Sequence, residues 1–308
     1  MSSTETELKF QIPSEARAAV RAEVAGAGGR ALRLQARYFD TPDRALAAAG
    51  MALRLRREGA VWVQTLKGRG DGVMQRLEHE VALTDLVAAE PRLEPARHDG
   101  TPAGAALRRA LEAALGELRC TFETDVRRTV LALDQADAVI ELALDEGLLS
   151  AGGAEAPLCE LEYELVRGPV DALLALAGQG VLRHGLWLDV RSKAERGERL
   201  ARGLQRVPAL RLEPDTLSSA LRQVLANACE LAEGLGDAEH LQALRDGVQD
   251  ALRAAALLPQ ATALQSLQAQ LDAVAAHEEA QALSGAGALV RAPGFNRLAL
   301  ELIGVAQG

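Results

Sequence analysis

Apolar and polar residues alternate along much of the first 208 residues, in short segments bounded by Gly, Asp or Pro. This period-2 alternation predicts β-strands, because successive side chains of a strand point to opposite faces. The predicted strands are TETELKFQI, LQARYFDT, MALRLRRE, AVWVQTLK, MQRLEHEVAL, CTFETDVRRTVLAL, AVIELALDE and LCELEYELV. Helical patterns interrupt them at about residues 102–118 and 169–178. This order indicates a large antiparallel sheet that closes into a barrel.

The pattern changes after the linker RVPALRLEP. Leucine and other apolar residues then recur at helical spacing in four segments, the last of which covers residues 293–305. Four amphipathic helices joined by short loops predict a small antiparallel bundle. The chain is therefore predicted to be an α+β protein. It would have an eight-stranded antiparallel barrel with flanking helices in residues 1–208 and an α-helical bundle in residues 209–308.

Several predicted strands have one charged face and one apolar face. The charged faces consist of Glu5, Glu7 and Lys9; of Arg54 and Arg56; of Arg76, Glu78 and Glu80; and of Glu160, Glu162 and Glu164. A sheet with its charged face in water explains this pattern. A barrel that turns these faces inward explains it too, and its lumen would be acidic on one side and basic on the other. The residues alone leave both interpretations open.

An ionic lumen would suit a polyphosphate with its metal ions. Clustered carboxylates bind hard divalent cations such as Mg²⁺ or Mn²⁺, and clustered Arg and Lys bind phosphoryl oxygens. The chain has 34 basic residues but only three lysines, Lys9, Lys67 and Lys193. Lysine kept at three places in an arginine-rich chain suggests that a compact ammonium is needed there.

The overall composition narrows the class of protein. The formal net charge of -9 argues against a protein that coats nucleic acid. No apolar run is long enough for a membrane span and the N-terminus lacks the pattern of a secretion signal, so a cytoplasmic protein without membrane partners is predicted. The three cysteines are widely spaced, which predicts neither a disulfide framework nor a thiolate metal site.

The charged motifs occur in an order that resembles a known family. ETELKF resembles the E-x-E-x-K signature of the CYTH superfamily, the triphosphate tunnel metalloenzymes. YFDTPDRALAAAGMALRLRREG, WVQTLKG, RLEHEV, FETDVRRT, ELALDEG, CELEYEL and RSKAERG follow in the family's order, over about residues 4–200. The resemblance implies an eight-stranded tunnel barrel whose members hydrolyse or rearrange triphosphates with a divalent metal.

The resemblance also implies roles for particular residues. The implied metal ligands are Glu5, Glu7, Glu160, Glu162 and Glu164. The implied triphosphate-binding residues are Lys9, Arg54, Arg56, Lys67, Arg76, Arg128 and Lys193, with Arg128 favoured over Arg127 although either strand parity is possible. Asp145, Glu78 and Glu80 would support a second metal or position the attacking water.

The predicted activity is metal-dependent hydrolysis of inorganic triphosphate to pyrophosphate and phosphate. Aromatic residues make up only 3% of the chain, which favours an inorganic ligand, although Trp62 or Tyr38 can still face the lumen. An organic triphosphatase, acting on thiamine triphosphate or a nucleoside triphosphate, stays an alternative. A non-catalytic module that binds polyphosphate is a second one.

The helical region resembles part of a CHAD domain, in TLSSALRQVLANACELAEG and DAEHLQALRDGVQDALRAAALL. It is shorter than that domain, and DGVQDAL replaces the family's run of basic residues. A packing or dimerisation role is therefore predicted for it, and a homodimer stays open.

Overall fold

The structure is a computed structural model that describes residues 3–70, 72–83, 91–135, 137–213 and 216–307. The strands among these residues are β1 (Ser3–Gln11), β2 (Arg30–Asp40), β3 (Met51–Glu58), β4 (Val61–Arg69), β5 (Gln75–Leu83), β6 (Arg119–Gln135), β7 (Ala138–Ala151), β8 (Ala154–Arg167) and β9 (Trp187–Leu188). The helices are α1 (Arg17–Gly26), α2 (Ala45–Ala48), α3 (Pro102–Glu112), α4 (Val170–His184), α5 (Lys193–Ala201), α6 (Leu217–Ala232), α7 (Ala238–Ala254), α8 (Ala261–Ala275), α9 (Glu279–Arg291) and α10 (Pro293–Val305). A 3₁₀ helix covers Pro95–His98.

Strands β1 to β8 form a closed antiparallel barrel. The strand order is β5-β4-β3-β2-β6-β7-β8-β1, and pairing of β5 with β1 closes the sheet. The short strand β9 adds to the edge of β1 beyond this closure. The predicted eight-stranded barrel is confirmed, because each of these eight strands pairs with two others.

The register of the barrel places the charged faces inside. Cross-strand partners share a face of a sheet, and Lys9 pairs with Glu162 while Asp145 pairs with Glu160. The same face continues round the barrel to Arg54, which pairs with Thr65 of β4. We call the space that these side chains enter the lumen.

Helices cover much of the apolar outer face. Leu8 and Phe10 of β1 lie in one buried cluster with Leu173 and Val181 of α4, and this cluster continues into α6–α10. A smaller cluster joins Leu53 of β3 to α2 and α3. The cover is incomplete at β5, where Leu77 is 36% exposed. No helix among the described residues has both the length and the apolar character required to cross a bilayer.

Helix α5 packs on the inner face of the barrel. Its residues Ala194 and Leu200 contact a buried cluster that includes Tyr38, Phe122 and Leu158, whose side chains share the inward face of β2, β6 and β8. This part of the lumen is therefore apolar and filled. The charged part lies beside it.

The helices differ from the prediction in number. The structure has five helices after residue 208, among the residues described, where four were predicted. Helix α9, with the sequence EAQALSGAGALVR, was missed because small residues replace the leucine stripe on its buried face. Before residue 208 the described residues form five helices where two were predicted, so α1, α2 and α5 were missed. Helix α5, KAERGERLA, carries mainly charged residues and lacks the apolar stripe that would have indicated a helix.

Candidate active site in the barrel lumen

Three carboxylates meet where β7 lies beside β8. Asp145, Glu160 and Glu162 each present an oxygen atom within 4.8 Å of the other two. The ammonium nitrogen of Lys193 lies 2.8, 2.5 and 2.7 Å from their oxygen atoms, in that order. Burial alone would lower the pKa of Lys193, but the three carboxylates raise it well above its usual value. The lysine therefore stays cationic inside the cluster.

The start of helix α5 fixes the position of Lys193. Ser192 accepts a hydrogen bond from the backbone N–H of Glu195, and the Glu195 carboxylate accepts one from the backbone N–H of Ser192 at 2.7 Å. This capping box makes Lys193 the first residue of the helix. The lysine side chain can then reach the carboxylates from a rigid element.

Arg128 enters the same cluster from β6. Its guanidinium donates to Asp145 at 2.7 and 2.6 Å and to Glu162 at 2.5 Å. Burial alone would raise the pKa of Asp145, but Lys193 and Arg128 lower it, so the carboxylate is ionised. Arg127 points to the opposite face and lines an open groove on the outside of the barrel. Of the two arginines considered, the structure places Arg128 inside.

A second ionic group lies where β1, β4 and β5 meet. Lys67 donates to Glu5 at 2.8 Å and lies 3.2 Å from Glu78. Burial and the neighbouring Glu5 carboxyl raise the pKa of Glu78 to about 8. Burial alone would raise the pKa of Glu5 as well, but its hydrogen bond with Glu78 and the Lys67 ammonium lower it to about 2. The two carboxyl groups thus share one proton near neutral pH.

Arginines of β3 face glutamates of β5 across β4. Arg56 donates to Glu80 at 3.3 Å, and Thr65 donates to the same carboxylate at 3.0 Å. Arg54 is 8% exposed and lies 3.9 Å from Glu78 and 3.8 Å from Glu80, beyond hydrogen-bond distance. Its Nη1 donates to the hydroxyl of Tyr38 at 3.3 Å. The remaining nitrogens Nε and Nη2 of Arg54 have no hydrogen-bond acceptor among the described residues.

Lys9 is buried without an acceptor. The residue is 7% exposed, and its ammonium makes no hydrogen bond within the part of the chain that the structure describes. It stands on β1 opposite Glu162 in the register. The charge of Lys9 helps to lower the pKa of the buried Asp189 carboxylate, so the lysine has an ionic neighbour but no hydrogen-bond acceptor. A buried donor without an acceptor is rare in native proteins and requires an explanation.

The remaining predicted residues complete the inner face of β1, β5 and β8. Arg76 lies 3.5 Å from Glu7 and donates to the backbone carbonyl of Val190 at 3.1 Å. Glu164 pairs with Glu7 in the register. Burial and nearby carboxylates, including Glu5, raise the pKa of Glu164 to about 7. The predicted site residues on the strands thus share the inward face and Lys193 reaches it from α5, although the roles of all these residues stay predictions.

The expected separation into an acidic and a basic side is incomplete. Strand β8 presents the glutamates and β3 presents the arginines, as expected. Strands β1 and β5, however, carry both signs, and cations pair with carboxylates of the neighbouring strand, as Lys67 of β4 does with Glu78 of β5 and Arg76 of β5 does with Glu7 of β1. Interleaving of this kind neutralises the repulsion that a single strand face would suffer.

The comparisons with known proteins identify the family. The profile of the CYTH domain family matches residues 3–197, which is more than half of the chain. The chain belongs to the CYTH domain family. The predicted family is thereby confirmed. The match ends before the helical region, whose resemblance to CHAD stays a prediction.

One curated relative of this CYTH domain is an inorganic triphosphatase of Haemophilus influenzae. It is 31% identical over 166 residues, which cover 52% of this chain and 44% of the relative. The chain thus spans less than half the length of the curated relative that it matches.

Two solved structures are also similar to the CYTH chain. A candidate adenylate cyclase from Bacillus halodurans has a TM-score of 0.45 and 18% identity, and covers 63% of this chain and 97% of its own. A candidate adenylyl cyclase from Hippeastrum, described as having a dominant triphosphatase activity, has a TM-score of 0.46 and 20% identity. The second similarity covers 63% of this chain and 94% of the other.

The carboxylate cluster of the CYTH domain fits a divalent metal. Asp145, Glu160 and Glu162 supply oxygen donors, which Mg²⁺ and Mn²⁺ prefer, and their mutual distances suit ligands of one ion. In this structure the Lys193 ammonium lies 2.5–2.8 Å from an oxygen atom of each, so a metal ion bound by all three carboxylates would have to displace it. Glu5, Glu7 and Glu164 lie outside this group of three, and their role as metal ligands stays a prediction.

Sequence reasoning missed several polar residues of the lumen. Arg196 of α5 donates to Glu160 at 3.1 Å, and Gln11 of β1 donates to Asp189 at 2.9 Å. Gln11 could have been found, because it continues the inward alternation of ETELKFQ. Asp189 could not, because it follows a two-residue strand with no period of its own.

Proposed function

We propose that this CYTH domain hydrolyses inorganic triphosphate to pyrophosphate and phosphate in its lumen, with a divalent metal. One observation carries the proposal. Lys9 and Arg54 are buried cations with unused hydrogen-bond donors, and they share the inward face of the barrel with a group of three carboxylates. A chain of anionic oxygens that brings metal ions with it is complementary to both features.

The unused donors favour a polyanion over a single small anion. A buried polar group without a partner costs about 1–3 kcal/mol, and more when it is charged. Lys9 is on β1 and Arg54 is on β3, so one ligand must be long enough to meet donors from both strands. A triphosphate has enough oxygens to accept from each of them.

The proposed metal is Mg²⁺ or Mn²⁺, held by Asp145, Glu160 and Glu162. The resemblance to the family adds Glu5, Glu7 and Glu164 to this proposed set. When bound, such an ion would neutralise charge on phosphoryl oxygens and lower the pKa of a coordinated water.

The chain's own cations would bind and orient the substrate. We assign this role to Lys9, Arg54, Arg56, Lys67, Arg76, Arg128 and Lys193. Phosphoryl transfer depends mainly on such positioning and charge neutralisation, because the transition state spreads charge over the phosphoryl oxygens. The leaving pyrophosphate would be stabilised by the same side chains.

Glu78, Glu80 and Asp145 are the proposed catalytic carboxylates. Glu78 has a pKa of about 8, raised by burial and by Glu5, which suits a group that exchanges a proton with water at near-neutral pH. Asp145 is held ionised by Lys193 and Arg128 and would accept a hydrogen bond. Glu80 accepts hydrogen bonds from Arg56 and Thr65, which fix its orientation.

The aromatic residues of the lumen favour an inorganic substrate. Tyr38 faces the lumen, but its ring stacks on Phe122 with centroids 4.3 Å apart. Phe122 in turn packs against Gly197 of α5. The two rings are therefore covered by each other and by α5, and they offer little free ring surface to a nucleobase or a thiazolium.

A phosphate-release assay tests the proposal. We expect Mg²⁺ to support release of phosphate from tripolyphosphate, a chelator to abolish it, and ATP and thiamine triphosphate to turn over more slowly. Glu162→Gln should lower kcat by about 100-fold or more, because it removes a proposed metal ligand and one of the three negative charges around Lys193. Glu155→Gln, an exposed glutamate on the same strand, should stay within twofold of the parent.

Other outcomes would select the alternatives. Faster turnover of ATP or thiamine triphosphate would replace the proposed substrate with an organic one. Binding of tripolyphosphate without release of phosphate would indicate a non-catalytic module. The cytoplasm is the compartment that this proposal assumes, as predicted from the sequence.

A further inference from the structure

A short segment between β9 and α5 links the lumen to the helical region. It contains Asp189 and Arg191, and Lys193 follows at the start of the helix. The guanidinium of Arg191 donates twice to Asp189, at 2.9 Å each. Asp189 in turn accepts from Gln11 of β1, and its backbone N–H donates to the carbonyl of Lys9 at 2.8 Å. The segment is thus bonded directly to the strand that carries Lys9.

One carboxylate of the helical region holds both flanks of α5. Glu230 of α6 accepts from Arg191, which precedes the helix, at 3.1 Å and from Arg199, near its end, at 2.5 Å. The Glu230 side chain is 6% exposed, and those of the two arginines are 12% and 15% exposed. Lys193 and Arg196, which contact the carboxylate cluster, lie between these two contacts in the sequence.

The helical region also holds the backbone of this segment. The backbone N–H of Leu188 donates to the side-chain oxygen of Asn296 in α10 at 2.8 Å. The Asn296 amide donates to the carbonyls of Val290 and Ala292, which fixes its orientation. The segment is therefore attached to the helical region by both backbone and side-chain bonds.

We infer that Glu230, which lies outside the residues matched by the family, is a positioning residue for the lumen. By pairing with Arg191 and Arg199 it sets how α5 sits on the inner face of the barrel, and hence where Lys193 and Arg196 present their charges. This inference rests on the proposed function. It assigns to the helical region a part in substrate binding that involves no contact with the substrate.

Loss of the Glu230 charge should have a large effect on the position of α5. Glu230 is the shared partner of two largely buried guanidiniums, so removal of its charge leaves both with fewer acceptors. A displacement of about 1 Å in groups that bind a reacting molecule can change rates by about 100-fold. Glu233, a third carboxylate beside Arg191 after Asp189 and Glu230, is more exposed than Glu230 and contacts Arg191, on the N-terminal flank of α5.

The test compares Glu230→Gln with Glu233→Gln in the full chain. KM and kcat for tripolyphosphate are measured with Mg²⁺ well below the unfolding temperature of each variant. We expect Glu230→Gln to raise KM by about tenfold with kcat changed less than threefold, and Glu233→Gln to stay within twofold for both. A merely structural role would reduce the fraction of folded enzyme, which lowers kcat and leaves KM unchanged. An unchanged KM in Glu230→Gln would overturn the inference.

Two further measurements separate this inference from the proposed function. If the parent binds tripolyphosphate without hydrolysing it, the proposed function fails, and Kd from calorimetry replaces KM in the same comparison. If the parent does not bind it, both are overturned. Should Glu230→Gln fail to fold, Glu230→Asp retains the charge with a shorter reach, and a parental KM in that variant would count against the positioning role.

Discussion

Lys9 and Lys193 show how differently two buried lysines can be used in one lumen. Lys193 touches three carboxylates, whereas Lys9 has no acceptor among the described residues. The period-2 pattern predicted that Lys9 shares one strand face with Glu5 and Glu7, and the family resemblance implied that this face is the inward one. It could not predict the pairing, since the partner of each charge depends on which strands become neighbours. Lys67 meets Glu5 only because β5 closes the barrel onto β1.

The shared proton of Glu5 and Glu78 predicts a pH dependence of stability. Burial and Glu5 raise the pKa of Glu78 from 4.5 to about 8, so between these values the folded chain binds more protons than the unfolded chain. The contribution of Glu78 to the free energy of unfolding is fully present below pH 4.5 and is lost as the pH rises through about 8. The lowered pKa of Glu5 acts in the opposite sense, but only at pH values between about 2 and 4.5.

We therefore expect the metal-free parent to lose more stability between about pH 6 and pH 9 than Glu78→Gln does, by on the order of 1 kcal/mol or more. Thermal unfolding of both proteins in a chelator measures this difference. Glu164, whose pKa burial raises to about 7, titrates in both proteins, so its contribution cancels in the difference between them. If the stability of the parent and that of Glu78→Gln change equally with pH, Glu78 titrates near its usual pKa and the prediction is contradicted.

At the scale of elements, α5 is the helix whose position the sequence pattern does not indicate. A strongly charged helix is normally read as a solvated surface helix, yet this one packs on the inner face of a barrel. The strands were predictable because each carries its own alternation. The placement of α5 was not, because it depends on contacts with strands far away in the chain.

Gly197 tests the packing of α5. A Cβ atom at this position would lie 2.2–2.5 Å from ring atoms of Phe122, so the helix or the ring must move. We expect Gly197→Ala to destabilise the fold by about 1–3 kcal/mol and to raise KM for tripolyphosphate. Gly178→Ala in α4 is the matched control, because its Cβ would meet nothing closer than 4.0 Å. That variant should be neutral or slightly more stable, since alanine favours a helix.

Thermal unfolding and steady-state kinetics of the two variants make the comparison. Equal stabilities for Gly197→Ala and Gly178→Ala would contradict the described contact between α5 and Phe122.

For the whole molecule, the barrel and the helical region share one apolar cluster. It runs from Leu8 and Phe10 on the outer face of β1 through Leu173 of α4 to Leu300 of α10. The alternation in the first 208 residues predicted the barrel, and the leucine spacing beyond them predicted helices. Neither pattern could predict how the two pack together, so the division at residue 208 and a homodimer stay proposals.

Deletion of residues 209–308 should therefore expose the apolar face of α4. Each large apolar side chain uncovered costs about 1.5–3 kcal/mol, so we expect the shortened chain to aggregate or to lose cooperative unfolding. Size-exclusion chromatography and thermal unfolding measure this directly. A monomeric product that unfolds cooperatively and keeps the parental KM would contradict both the shared core and the role of Glu230.

The central claim is that the inward-facing cations of the barrel bind a triphosphate. Calorimetric titration with tripolyphosphate of the parent, Arg54→Gln and Arg57→Gln tests it most directly, because these arginines lie on the two faces of one strand and Arg57 is exposed. We expect Arg54→Gln to weaken Kd by about 30-fold or more, as loss of a charge-assisted contact implies, and Arg57→Gln to change it less than twofold. Equal effects of the two substitutions, or no binding by the parent, would contradict the account.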